Sequence, residues 1–235
     1  MRLLFSLLIS FAWLTGYAQD AADIIDLDRI PQKKIRALIE NQFAENNLQH
    51  FHELRATYRK GQSLRGYHIV ESAYFLRETP DQVWKTYQVT SPAESWNGHM
   101  VSFGLLISKW ENTVMYGNDQ YFTGIDTGQV FYVNLKIMKG LYNLAVGLEI
   151  ISIDSANKSI TFSYLKGGKS RGEQTIYFVP TRKGHTEIIH QTAFKSNSIL
   201  RDCYLYPYFH RIAINEFHRN MKRCLHENNK MLAQR

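Results

Sequence analysis

Gly168-Lys169-Ser170-Arg171-Gly172 places a serine between two glycines at nucleophile-elbow spacing, where a strained strand-to-helix turn presents a hydroxyl for acyl transfer. Here Glu173 to Val179 continues as a strand, so the setting that gives the motif its chemistry is missing. The same residues imitate the end of a phosphate-binding loop, but Ser163 stands where the opening glycine belongs. A polar hairpin tip accounts for all five. His210, His218 and His226 recur every eight residues, and His50 and His52 alternate. A helical zinc pair falls four residues apart, and eight residues span about 12 Å of helix axis, too far for one ion. Surface or boundary positions are expected for these histidines, with no metal and no cofactor. His190 differs because it shares the strand phase of Ile188 and Phe194. It is expected to point inward, as a hydrogen-bonded core histidine, as a group orienting a polar ligand head, or as a weak candidate acid and base beside a Tyr or Glu.

Aromatic residues make up 13% of the chain, and they fall on faces that strands and a helix would turn inward. The candidate ligand-lining set is Tyr132, Phe162, Tyr164, Ile176, Phe178, His190 and Phe217, chosen on strand or helix phase. Pockets and cores draw on the same residue types, so each is equally at home in ordinary packing.

The elements that must position them are legible in outline. Pro31 suits a first helical position, and Ile35, Leu38, Ile39 and Phe43 recur at helical spacing, which predicts a helical arm after an acidic leader, Asp20 to Asp28. Tyr67 to Leu76 alternates as a strand. Thr79-Pro80-Asp81-Gln82 then forms a capping box ahead of a short helix carrying Val83, Trp84 and Tyr87. Between 91 and 147 the pattern predicts short strands over Val101 to Trp110 and Gln129 to Ile137. Further strands follow at Leu148 to Ile153, Ser159 to Tyr164 with one wet and one dry face, Glu173 to Val179 and His185 to Phe194. Short connections make neighbours antiparallel. Ala213, Ile214, Phe217, Met221, Cys224, Leu225 and Leu232 then line one stripe of a long final helix, which needs the sheet to cover it.

Tyr67 to Tyr87, with its Thr79-Pro80 and Val83-Trp84, together with the Gly172-Glu173 strand entry and the terminal helix, resembles the START-like (SRPBCC, Bet v 1-like) helix-grip superfamily, most nearly one of its uncharacterised branches. The resemblance implies an α+β fold with a seven-stranded curved antiparallel sheet wrapped around the last helix and a cavity for lipids, sterols or aromatic metabolites. It places that domain at residues 66–232, after a helical arm at 19–65 that lies outside the pattern. The arm could cover the cavity mouth, sit on the back of the sheet or serve a partner.

Arg2, the apolar run Leu3 to Leu14, and small residues at Gly16 and Ala18 read as a signal peptide over 1–18, with export to the periplasm or the exterior. The two cysteines, Cys203 and Cys224, would lie about 30 Å apart on one helix, beyond the roughly 7 Å that a disulfide spans. A net charge of +7 suits an anionic envelope surface, yet the basic residues form no aromatic-interleaved stripe, which argues against nucleic acid. Three functions follow: a carrier of an apolar or amphipathic small molecule, a cyclase- or hydrolase-type enzyme using His190, or an envelope interaction module. Oligomeric state is not legible.

Overall fold

The computed structural model describes residues 24–198 and 201–233, so the signal peptide expected over 1–18 lies outside the described residues. Eight strands form one antiparallel sheet: β1 (His68–Leu76), β2 (Val101–Ser108), β3 (Thr113–Tyr116), β4 (Gln129–Ile137), β5 (Tyr142–Asp154), β6 (Ser159–Tyr164), β7 (Arg171–Pro180) and β8 (Thr186–Lys195). Their spatial order is β1-β8-β7-β6-β5-β4-β2-β3. Helix α1 (Lys33–Asn46) precedes the sheet, α2 (Pro80–Val89) and α3 (Pro92–Ser95) follow β1, and α4 (Tyr206–Ala233) ends the chain after a π turn at Arg201–Leu205. Register shifts at Phe103/Leu105 and Ile150/Ser152 interrupt two ladders, and such bulges bend a sheet, which here curves around α4.

The resemblance implied seven strands. The eighth is β3, four residues that pair with the end of β2 and are too short to show a period of their own. Strand β5 is also longer than expected, because Tyr142 to Gly147 pairs with Tyr132 to Ile137 of β4. Thr79 caps α2 through the Gln82 amide at 3.4 Å, while the Gln82 side chain accepts from the Thr79 amide at 3.1 Å, as the capping box requires. Helix α1 starts at Lys33 behind an N-cap Gln32, so Pro31 lies outside it.

The arm packs on the back of the sheet. Ile35, Ile39, Phe43 and Phe51 join Leu105, Val130, Tyr132 and Leu165 in a second core behind β2, β4 and β5. The acidic leader is part of it: Ile25 is buried, and the Asp26 amide donates to the Tyr116 hydroxyl at 2.7 Å. Lys109 and Glu149 form an ion pair beneath the arm at 2.8 Å, with Lys109 also donating to the Leu54 carbonyl at 2.9 Å. This cover closes one end of the wet face expected on β6: Ser163 is fully buried and accepts from the Tyr58 amide at 3.0 Å, while Ser159 and Thr161 stay half-buried.

Glu216 fixes the height of α4 above the sheet. Its carboxylate is buried and accepts from the His99, Met100 and Val101 amides at 2.7, 2.7 and 2.9 Å, tying the helix to the start of β2. Gly98 is required there, because an added Cβ would lie 2.2 Å from the Glu216 carboxyl carbon. Glu216→Gln keeps the volume but turns an NH2 group toward amide donors. Chemical denaturation should show a loss of about 2 kcal/mol.

Candidate functional site

Between α4 and the inner faces of β4 to β7 lies a cavity of about 490 Å³, within the range of small-molecule pockets. Its long wall is apolar: Val133, Leu135 and Ile137 from β4, and Leu144, Val146 and Leu148 from β5. Phe209, Ala213 and Ile214 of α4 face them. A separate polar wall is made by Tyr164, Gln174, Tyr206 and His210, and Tyr142, Lys169 and Ser170 also border the space.

The polar wall belongs to a buried hydrogen-bond chain. Gln174 turns its amide nitrogen to the Tyr164 hydroxyl at 2.8 Å, and Tyr164 and Tyr206 share a short hydroxyl contact. The Gln174 carbonyl oxygen therefore accepts from His190 Nε2 at 3.0 Å and from His210 Nε2 at 3.2 Å. With its proton on Nε2, His190 must accept at Nδ1, where His218 Nε2 donates at 2.8 Å. His218 Nδ1 in turn accepts from the Tyr87 hydroxyl at 2.7 Å.

Burial holds all three rings neutral. The pKa of His210 is lowered to about 4 and that of His218 to about 3, both chiefly by desolvation. His190 is pushed well below its ordinary value by desolvation and then by the two neighbouring histidines. Burial raises Tyr164, Tyr206 and Tyr87 above the usual phenol range, so the hydroxyls keep their protons. One acceptor remains: His210 Nδ1 is buried and has no hydrogen-bond partner among the described residues.

The candidate residues divide among three places. Tyr164 lines the cavity. His190, Ile176, Phe178 and Phe217 are buried in the same interior without bordering the cavity, His190 in the hydrogen-bond chain and the others in the main core, against which Phe162 packs half-buried. Tyr132 stands on the opposite face of β4, donating its hydroxyl to Gln42 of α1 at 2.7 Å. The inward phase of β4 is Val133, Leu135 and Ile137 instead, and burial by the arm on the other side hides the alternation. His210 and His218 are buried, correcting the surface reading. His210 lies three and four residues before stripe positions Ala213 and Ile214, and His218 lies four after Ile214 and three before Met221, a signal that a stripe drawn from apolar residues alone passes over. His226 is half-exposed and pairs with Glu78 at 3.3 Å. Cys203 is exposed and Cys224 buried, both as free thiols. Among the described residues no cluster of His, Cys, Asp or Glu has the geometry of a metal site.

No family model matches the chain, and no curated protein matches it by sequence. Its architecture does have solved counterparts. A norcoclaurine synthase point mutant from Thalictrum flavum, bound to a transition-state analogue, aligns over 69% of this chain and 96% of its own at 12% identity and a TM-score of 0.50. The same enzyme with dopamine and hydroxybenzaldehyde aligns over 72% and 95% at 11% identity and a TM-score of 0.50. Major latex-like protein 151 from Panax ginseng aligns over 67% and 96% at 12% identity and a TM-score of 0.49. The chain thus has the START-like, Bet v 1-like helix-grip fold, and at such identities the likeness is one of fold.

Proposed function

We propose that this chain is an exported binding protein for an amphipathic small molecule held between the sheet and α4. The cavity of about 490 Å³, apolar along β4 and β5 with one polar wall, carries the reading. Affinity would come from burying ligand surface at about 25 cal/mol per Å². The polar wall of Tyr164, Gln174, Tyr206 and His210 would set orientation by hydrogen bonding the ligand's polar end. Counterparts crystallised with small aromatic molecules support a small-molecule site in this fold. Export is supported by Arg2, Leu3 to Leu14, Gly16 and Ala18, and is checked by the mature chain starting at Gln19.

A ligand whose polar end meets the Tyr wall can be told from one held by shape alone. Tyr164→Phe should weaken binding of 2-naphthol about tenfold and leave naphthalene unchanged, read by fluorescence titration. Equal weakening of both would mean that the wall packs without recognising. The acid–base reading on His190 has less support, because both its ring nitrogens are engaged by His218 and Gln174.

A further inference from the structure

The side chains around the cavity opening are apolar and exposed, although an aqueous mouth would favour polar ones. Met138 is 63% exposed and Leu141 86%, in the turn between β4 and β5. Tyr204, at 70%, Leu205 and Tyr208 stand out from the segment that enters α4. Met138, Tyr142 and Leu205 also border the cavity, so the two segments face each other across its opening. Scattered exposed apolar residues are ordinary, but a contiguous collar around a cavity mouth marks an interaction surface.

Charge says what covers it. The three segments that meet at the mouth, 136–145, 166–172 and 203–212, contain no aspartate or glutamate. Lys169 borders the opening, and Lys166 and Arg171 are exposed in the same turn from β6 into β7. Apolar tips flanked by cations, with no carboxylate between them, suit the boundary between anionic head groups and acyl chains. A protein partner would be expected to find a carboxylate or two for specificity. No helix among the described residues is long and apolar enough to cross a membrane, so contact would be peripheral.

We propose that the mouth collar docks on an anionic lipid bilayer, seating the cavity opening on the acyl layer from which a ligand can enter. The proposal rests on the cavity reading only for the ligand's path. Flotation of the purified chain with vesicles of phosphatidylcholine, alone and mixed with phosphatidylglycerol, tests it. The chain should float with the mixed vesicles only, less so as salt rises, since each basic residue near such a surface is worth about fivefold in affinity. Leu141→Glu combined with Tyr204→Glu, both at exposed positions, should lower the bound fraction at least about tenfold without changing the fold. No flotation, equal flotation with neutral vesicles, or a variant that floats as well as the parent would overturn the proposal. So would a concentration-dependent dimer, without vesicle binding, that the same substitutions dissociate. Uptake of N-phenyl-1-naphthylamine from solution by the same samples reports the cavity separately: uptake without flotation sinks only the docking surface, and flotation without uptake leaves the surface standing and removes the cavity reading.

Discussion

The folded chain is expected to lose on the order of 5 kcal/mol of stability between neutral pH and about pH 4.5, comparable to the whole stability of an ordinary domain. The cause is the buried histidine chain. His210 and His218 titrate in the folded state at about 4 and about 3, whereas an unfolded histidine titrates near 6.5. Over that interval the unfolded chain binds more protons, so stability is complete above about pH 6.5 and falls as pH drops toward the folded values. Each of the two contributes roughly 2 kcal/mol by about pH 4.5, and His190 adds to the same direction. The groups against the three rings are Tyr74, Tyr87, Thr192, Gln174, Tyr206 and Phe217, and none offers a negative charge to a protonated imidazole. The carboxylates whose pKa is lowered, Glu53, Asp119 and Asp154, are half-buried and titrate below this window, so their contribution is separable. Urea titrations at a series of pH values measure the slope, and His210→Gln should flatten it. A stability independent of pH between about 7 and 4.5 would show that the rings are not held neutral.

Filling the cavity should abolish binding with little cost in stability. Val146 is half-buried on β5, opposite Val133 of β4, and its side chain borders the space below α4. Val146→Trp would project an indole into that volume. Overpacking a filled core costs about 1–3 kcal/mol, but here the added atoms enter open space. The expected result is an affinity for N-phenyl-1-naphthylamine lowered by about 100-fold or more, with the urea midpoint near that of the parent. A large destabilisation with binding retained would mean that the volume closes in solution and that the probe sits elsewhere.

Much of the fold is legible in the sequence, and its failures have a common source. Strands β6, β7 and β8 and the final helix could be placed because each alternates or repeats cleanly over its own length. The Thr79 capping box could be read because its chemistry is local. What escaped depends on residues far apart in the chain. The arm buries the back of β4, so six successive residues from Gln129 to Asn134 are buried and the strand shows no phase, which put Tyr132 on the wrong side of the sheet. The arm's own place, left open among three, is fixed by Tyr132 and Gln42 and by Thr57, whose amide donates to the Tyr164 carbonyl at 2.7 Å. For the site, Tyr164 could be identified from strand phase, whereas His210 and His218 were set aside because eight residues are too many for one metal ion. Their link is His190, which arrives from β8 and joins the two through its own ring and Gln174. Spacing within one helix carries no trace of that bridge.

The claim on which the rest depends is that a ligand occupies the space between the curved sheet and α4. Native mass spectrometry of the purified chain beside Val146→Trp tests it most directly. The expected spectrum of the parent shows a small-molecule adduct, or takes one up from N-phenyl-1-naphthylamine, and organic solvent releases it, while Val146→Trp carries none. Bare protein in every preparation, with parent and variant indistinguishable when the probe is added, would contradict the binding-protein reading outright.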